Sequence, residues 1–301
     1  MKIDLSIITV SFNTKDITLN CLTSVIKNTQ GVNYEIIVVE NGSKDGSSEA
    51  LRKFAQDHLQ VTFVDAGKNT GFSKGNNLGV SKAKGEFLLF LNSDTVVKDN
   101  ALKEVFDFIK DKKDLGVYSC RLLNVDGSIQ PSGGHFPNLL NVFAWQFFID
   151  DLPFIGPLIP SFHPHKSFYD QDKRVDWVTG AFLLIPRVVF EAVGGFDENI
   201  FMYTEEMELT YRIAKTNKQA YIKKTPSIVH LGGASGGSFI ALTSEVKNML
   251  YFWKKHKPSW QMPLIKFIFF SGSLLRLLLF GIIKGDEKSR RTYTEALKFL
   301  L

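Results

Sequence analysis

Cysteine is almost missing from this chain: two in 301 residues, Cys21 and Cys120, far apart and in no metal-ligand spacing. That excludes a disulfide framework and a cysteine metal centre. It fits two reduced, buried thiols in an intracellular protein. Glycine is missing where a dinucleotide fold needs it. After the first apolar run the chain reads SFNTKD, so there is no G-x-G-x-x-G, and the Walker pattern is absent as well. A secretory leader is not legible either. The start MKIDLSIITVSFN is interrupted by Asp4, Ser6 and Thr9, no small-residue cleavage site follows, and the run reads as a first buried strand. There is no internal repeat and no low-complexity segment.

What is present is ordinary in bulk: 44% hydrophobic and 22% charged residues, with phenylalanine unusually frequent at 26. The length suits one large domain or one domain with an appendage. The net charge of +5 is unevenly spread, because residues 252–301 hold ten Lys and Arg against three Asp and Glu. A basic tail on a near-neutral body points to an anionic surface. The same tail contains MPLIKFIFFSGSLLRLLLFGII, and its aromatics come in runs rather than between basic residues. The expected surface is therefore a membrane and not a nucleic acid. Residues 260–283 are just long enough to span, but Lys266 and Arg276 interrupt them, and charge in a span is costly. Ten helical positions put those two charges within about 80° of each other. The favoured reading is a basic amphipathic helical hairpin lying in the interface. A true span, and a docked core or homo-oligomer contact, are the alternatives.

The first half alternates apolar runs (LSIITV, YEIIVVE, VTFVD, EFLLFLN) with helical patterns (KDITLNCLTSVIKN, SSEALRKFAQDH, SKGNNLGVSKA, NALKEVFDFIKD). Continuous apolar strands between helices predict an α/β sheet covered on both faces. Ligands of such sheets bind beyond the carboxyl ends of the strands. Residues 128–172 read as a long loop or small insertion. TEEMELTYRIAKT and EVKNMLYFWKKHK read as helices, and AYIKKTPSIVH as two short strands.

Polar and glycine residues gather where strands end: TVSFN, ENGSKDGS, NTGFSKGNNLG and LNSDT. Singly, each has a plain alternative. NGSKDGS is turn chemistry with a helix cap, and NSD could cap the helix after it. All four on one sheet edge is much less expected by accident.

These stretches, with WVTGAFLLIPR, GGFDENIFMYTEEMELTYR and IVHLGG in that order from about residue 5 to residue 235, resemble an inverting family 2 glycosyltransferase of the GT-A fold, on its rhamnosyltransferase-like branch. The resemblance implies a Rossmann-like mixed central sheet flanked by helices over residues 1–240. Residues 1–125 would bind the nucleotide sugar and 126–240 the acceptor. Residues 241–301 would form a helical, membrane-associating appendage. It also implies a nucleotide-sugar donor such as a dTDP- or UDP-sugar, a divalent cation (Mg2+ or Mn2+), and a glycan or lipid-linked acceptor. The enzyme would be cytoplasmic, peripheral on the inner face of the plasma membrane.

Carried over residue by residue, the resemblance puts Thr9, Ser11 and Asn13 on the nucleotide side. Glu40 falls at an acidic position facing base or ribose where the family more often has Asp, and Lys74 at a basic position near the donor. Asn41, Asn69, Gly71, Asn76 and Ser93 complete the donor side. NSD stands at the D-x-D metal motif with Asn92 in place of its first acid. Asp94 would then be the main carboxylate ligand, and His230 would complete the metal site. The plain reading of His230 is a satisfied histidine at a strand end. On the acceptor side stand Trp177, Thr179, Gly180, Gly195 and Phe196. Trp177 could stack on a sugar or belong to the core.

YTEEMEL holds Glu205, Glu206 and Glu208 within four positions. Glu208 lies four residues before Arg212, a favourable surface pair on a helix that makes it structural. Glu206 shares a face with Leu209 and Ile213, so it is expected to turn inward and act as the base, with Glu205 at the rim of the catalytic site, orienting the acceptor or positioning the helix. The family resemblance also puts the base at Glu206. Two other classes remain: a sugar nucleotidyltransferase, which would need a Gly-rich basic loop where SFNTKD stands, and a non-catalytic carbohydrate-binding relative, which would have lost acids that are present here.

Overall fold

Four strands from the first half of the chain form one side of the main sheet, the first, second and fourth with apolar residues on both faces and the third at its edge. A computed structural model describes residues 2–232 and 238–300. β1 (Leu5–Ser11), β2 (Tyr34–Glu40), β3 (Val61–Asp65) and β4 (Phe87–Leu91) alternate with α1 (Lys15–Lys27), α2 (Ser47–Asp57) and α3 (Gly71–Val80). The chain continues through β5 (Thr95–Val96), α4 (Ala101–Ile109), β6 (Leu115–Leu123), β7 (Ile129–Gln130), β8 (Gly133–Gly134) and α5 (Leu139–Gln146). Next come β9 (Lys173–Val175), β10 (Trp177–Val178), β11 (Phe182–Pro186), α6 (Arg187–Ala192), α7 (Glu205–Ala214) and β12 (Gln219–His230). α8 (Ser238–His256), α9 (Gln261–Arg276) and α10 (Glu287–Leu300) close it, with a π-helical turn at Leu277–Ile283 extending α9.

The main sheet runs in the order β3-β2-β1-β4-β11-β6-β12-β5, with β7 added to β6 and β9 to β12. β1 to β4 are parallel where they pair, whereas β11 runs antiparallel to β4. The sheet is thus mixed, as expected. Alternate residues feed two cores. Ile7, Ile36, Val38 and Leu89 pack with α1, α2 and α4 through Leu22, Leu51 and Leu102. Ile8, Ile37, Val39 and Phe90 pack on the other face with α6 and α7 through Phe190, Leu209 and Ile213. The two-residue alternation of a strand makes this division. α3 lies very close to β1, because a Cβ at Gly79 would come within 2.5 Å of the Ile8 side chain. Both cysteines are free and buried, and burial pushes the Cys21 thiol up to about 11, which leaves it unreactive.

Two sequence readings change. AYIKKTPSIVH is one strand with an irregularity between Lys223 and Ser227, around a proline that cannot donate to the ladder. The expected loop at 128–172 contains β7, β8, α5 and short 3-10 turns. α5 escapes a periodicity reading because LLNVFAWQ has no polar face. Its signal is the cap, in which Asn138 accepts from the amides of Leu140 and Asn141.

The chain divides into two units. One holds Met1–Gly133, Lys166–Phe201 and Glu205–Ser235, and the other Gly134–His165, Met202–Thr204 and Gly236–Leu301. In the second unit α9 packs with α5, α8 and α10 over Trp253, Ile265 and Phe269. Arg276, expected at an interface beside Lys266, is instead buried. Its guanidinium donates to the Gln146 and Trp145 carbonyls and lies over the Phe148 ring at 4.4 Å. Lys266 stays exposed.

Candidate active site

The carboxyl ends of β1, β2 and β3 are level: Ser11 pairs with Glu40, and Glu40 with Asp65. The turn after β2 folds back onto its own acid. Glu40 accepts from the Ser43 amide at 2.6 Å and from the Gly42 amide at 3.2 Å. Asn41 ties this turn to the entry of α3. Its Oδ1 accepts from Thr70 N and Oγ1, and its Nδ2 donates to Asn69 Oδ1 and to the Gly71 carbonyl. Gly71 has φ +84°, and a Cβ there would meet the Phe201 carbonyl at 2.4 Å, so glycine is required. Asn13 Oδ1 accepts from the Lys44 amide at 2.8 Å, joining the loops after β1 and β2. Beneath them Ser11 and Thr14 both reach the Thr18 hydroxyl, and Thr14 lies 3.4 Å from Ser93 Oγ. The sequence reading missed Thr14 and Thr18. Their four-residue spacing at the start of α1 is the signal that could have found them.

NSD caps no helix. β5 follows it directly, and α4 starts later with Asn100 at its cap. β5 pairs antiparallel with β12, with His230 opposite Thr95, and the Leu231 amide bonds the Asp94 carbonyl at 2.8 Å. This short pairing sets His230 Nε2 3.1 Å from Asp94 Oδ1, with Asn92 Nδ2 3.5 Å from the same nitrogen. His230 Nδ1 lies 2.6 Å from Gln130 Oε1. If Nδ1 carries the ring proton to Gln130, Nε2 presents a lone pair to a carboxylate oxygen. Two such atoms at that distance call for positive charge between them. Cis ligands of an octahedral cation with bonds of about 2.1 Å stand about 3 Å apart, so the pair fits a hard divalent ion. Among the described residues no cluster of three or more His, Cys, Asp or Glu side chains is gathered for a metal. Further oxygens would have to come from water or a ligand. Gly233, the last residue of IVHLGG, lies outside the described residues.

The acidic helix start differs in facing from the sequence reading. Glu205 is buried, at 4% exposed, and Glu206 is half-buried. The reason is that α7 is embedded on more than one stripe: Met207, Glu208, Leu209 and Thr210 are all buried, so i+4 spacing takes Glu205 inward with Leu209. Glu205 Oε2 has no hydrogen-bond partner among the described residues. Burial first, and the Glu206 charge second, hold the Glu205 carboxyl well above the usual range. Tyr203 and Thr204, just before the helix, have φ of 70° and 71°, a costly conformation for a β-branched residue. Glu208 is structural as expected, but buried rather than at the surface. It forms a two-pronged pair with Nε and Nη2 of Arg212, whose Nη2 also donates to the Gly195 carbonyl and whose Nη1 donates to the Val193 carbonyl. This pair holds the Gly194–Gly195 turn, where both φ values are positive.

The remaining sequence candidates scatter. Lys74 is exposed and 3.8 Å from Glu198. Asn69 accepts from the Gly71 amide, and Asn76 is buried and donates to the Phe72 carbonyl. Thr9 and Thr179 are hydroxyls buried without a partner among the described residues. Phe196 is core, edge-on to Phe90 at 4.9 Å, and Trp177 is buried too. A Cβ at Gly180 would press on the Phe72 ring at 3.0 Å.

The profile of the family described as Glycosyl transferase family 2 matches residues 6–174. Among curated proteins, the chain is 30% identical over 223 residues to the low-salt glycan biosynthesis hexosyltransferase Agl10 of Haloferax volcanii, covering 71% of this chain and 62% of that one. It is 25% identical over 249 residues to the N-acetylglucosaminyl-diphospho-decaprenol L-rhamnosyltransferase of Mycobacterium tuberculosis, covering 76% and 78%. To the rhamnosyltransferase WbbL of Escherichia coli it is 26% identical, over 71% of this chain and 79% of that one. Of solved structures, a mannosyltransferase of Pyrobaculum calidifontis in complex with GDP-Man and Mn2+ matches with a TM-score of 0.59 at 14% identity, over 99% of this chain and 75% of that one. GalNAc-T7 with UDP, GalNAc and Mn2+ matches with a TM-score of 0.60 at 18% identity, over 89% and 54%. At these identities the structural likeness concerns the fold, which is GT-A.

Proposed function

Because the chain belongs to glycosyl transferase family 2, we propose that it moves a sugar, rhamnose or another hexose, from a nucleoside diphosphate donor to a glycan or lipid-linked hydroxyl, with inversion. The observation that carries this is the Asp94–His230 pair, an oxygen and a nitrogen 3.1 Å apart beyond the carboxyl end of β4. A divalent cation held there by Asp94 and His230 would neutralise charge on the leaving diphosphate. The GDP-Man and Mn2+ of one solved structure of this fold, and the UDP, GalNAc and Mn2+ of the other, support the same reading.

The chain's own residues do the rest. Glu205, whose carboxyl is pushed up by burial first and by the Glu206 charge second, is the poorer base of the two. Glu206, the more accessible acid, removes the acceptor proton as that oxygen attacks the anomeric carbon. The bond from that carbon to the diphosphate oxygen breaks in the same displacement, which inverts the configuration. Asn13, Asn92, Ser93 and Lys74 face the donor, while Thr9, Ser11, Glu40, Asn41, Asn69, Gly71 and Asn76 hold the loops that shape its pocket. Thr179, Gly180 and Gly195 keep the acceptor side slim, with Trp177 and Phe196 packed behind it.

The second unit supplies the membrane contact. Residues Gln261–Ile283 form a helix long and apolar enough to cross a bilayer. Leu264, Phe267, Leu274, Leu278 and Ile282 leave an apolar stripe exposed at helical spacing, and Lys266, Lys284 and Lys288 are exposed on the same segment or just after it. With Arg276 bound inside the unit, we read this helix as lying in the interface of an anionic cytoplasmic leaflet.

A panel of nucleotide sugars, assayed for hydrolysis and transfer with Mn2+ or Mg2+, tests the function. Turnover of at least one donor that stops on chelation supports it. A full panel without turnover, or turnover indifferent to chelation, contradicts it.

A further inference from the structure

His230 has two ring nitrogens, and only Nε2 faces Asp94. The other, Nδ1, lies 2.6 Å from Gln130 Oε1. Gln130 is not free to turn its amide around, because the chain it belongs to ends on the Ser128 hydroxyl, which donates to the Asp126 carboxylate and can only accept from Asn124. Gln130 Nε2 donates to Asn124 Oδ1 at 3.1 Å, and Asn124 Nδ2 donates in turn to Ser128 Oγ at 2.9 Å. The turn that carries these groups is itself closed: the Asn124 amide bonds the Ser128 carbonyl at 2.8 Å, and the Ser128 amide bonds Asp126 Oδ1 at 2.9 Å. β7 and β12 both pair with β6, which brings Gln130 and His230 together although a hundred positions separate them.

With its nitrogen committed to Asn124, Gln130 can offer only its carbonyl oxygen to the imidazole. A carbonyl accepts, so Nδ1 must donate. The ring is then the tautomer whose Nε2 lone pair points at Asp94. Ligating histidines are oriented in this way by whatever accepts from their second nitrogen.

We propose that Gln130 is a positioning residue for His230, and that the Ser128–Asn124–Gln130 chain of side-chain hydrogen bonds fixes which nitrogen faces the Asp94 carboxylate. Nothing in the motif that carries His230 encodes this; the instruction comes from the β6–β7 hairpin. The inference rests on the proposed cation site, but half of its test does not.

Two readouts on the full chain decide it. The first needs no metal. A long-range 1H–15N spectrum of the histidine rings at pH 8.5 should show His230, identified by its loss in His230→Ala, with its proton on Nδ1. In Gln130→Leu that signal should move to the Nε2–H form or to a mixture, whereas Gln130→Glu, which still accepts, should keep it. A wild-type His230 protonated on Nε2, or a Gln130→Leu ring unchanged from wild type, overturns the proposal. The second is Mn2+ affinity measured by calorimetry with UDP, and separately GDP and dTDP, present. Gln130→Leu should weaken Mn2+ binding by about 10- to 100-fold, and Gln130→Glu should retain it. Should Gln130→Leu fold poorly, Asn124→Ala, which frees the Gln130 amide to rotate, should show the same shift in smaller degree. Wild type that binds no Mn2+ with any of the diphosphates refutes the cation reading while the tautomer result still stands by itself. Wild type that binds Mn2+, loses it in Asp94→Asn, and keeps it unchanged in Gln130→Leu refutes the positioning role alone.

Discussion

Glu205 and Glu206 occupy successive positions, yet Glu205 is buried and Glu206 half-buried, and the proposed roles follow that difference. The Glu205 carboxyl is buried and pushed up, which leaves the base role to Glu206, so Glu205→Gln, a near-isostere, should keep most of the transfer rate. Glu206→Gln should lower that rate by at least the roughly 10²-fold typical of a general base, with donor binding retained. A dead Glu205 variant beside an active Glu206 variant, in a steady-state transfer assay, would reverse the assignment. The same pair gives a pH signature. The folded protein holds the Glu205 proton above the ordinary value of 4.5, chiefly through burial and then through the Glu206 charge. In that window the folded state binds more protons than the unfolded one. The stability Glu205 contributes is therefore complete below 4.5 and is lost as pH climbs toward the raised value. Glu205→Gln has no proton to lose, so its melting temperature should gain on wild type as pH rises above 4.5 and level off once the raised value is passed. A constant difference across that range would mean Glu205 is ionised. Single residues of this kind were partly legible in the sequence. Asp94 and His230 were found through their motifs and do meet. Gln130 was not, because an isolated glutamine in an irregular stretch has no pattern, and its partner lies a hundred positions away. The inward turn of Glu205 was missed because two helical spacings, i+3 and i+4, were both available, and only packing chooses between them.

Among the elements, α7 shows how a helix start can carry charge inside a protein. The Glu208–Arg212 pair spans one turn, and Arg212 also binds the Val193 and Gly195 carbonyls, so it anchors the turn after α6. Removing one partner leaves the other buried and uncompensated. Arg212→Ala should cost about 3–5 kcal/mol, read as a lower urea midpoint, and a loss under 1 kcal/mol would show the pair to be dispensable. The regular elements of the first half were legible because strand and helix periods differ and each run is long. β5, β7 and β8 were not, since two residues have no period. β5 nevertheless matters most for the site, because it sets Asp94 beside His230.

In the molecule as a whole, the proposed reading assigns chemistry and membrane attachment to separate units of one chain. The sequence suggests a helical, membrane-associating appendage at 241–301, but the second unit also includes Gly134–His165, and Arg276 is bound to α5 within it. Truncating the tail would therefore expose α5 and confuse folding with attachment. Substituting exposed residues avoids this. Phe267→Glu with Ile283→Glu, at positions 69% and 71% exposed, should lower binding to anionic vesicles at least tenfold in co-sedimentation and leave donor hydrolysis intact. Unchanged sedimentation would remove the membrane role of this face. The central claim is that Asp94 and His230 hold a divalent cation at the nucleotide sugar. The most direct measurement is donor turnover by metal-stripped enzyme titrated with Mn2+, in wild type and in Asp94→Ala. The account predicts no turnover without metal, saturable recovery in wild type, and no recovery in Asp94→Ala at any concentration. Full turnover by the stripped enzyme, or equal recovery in the two proteins, would contradict it.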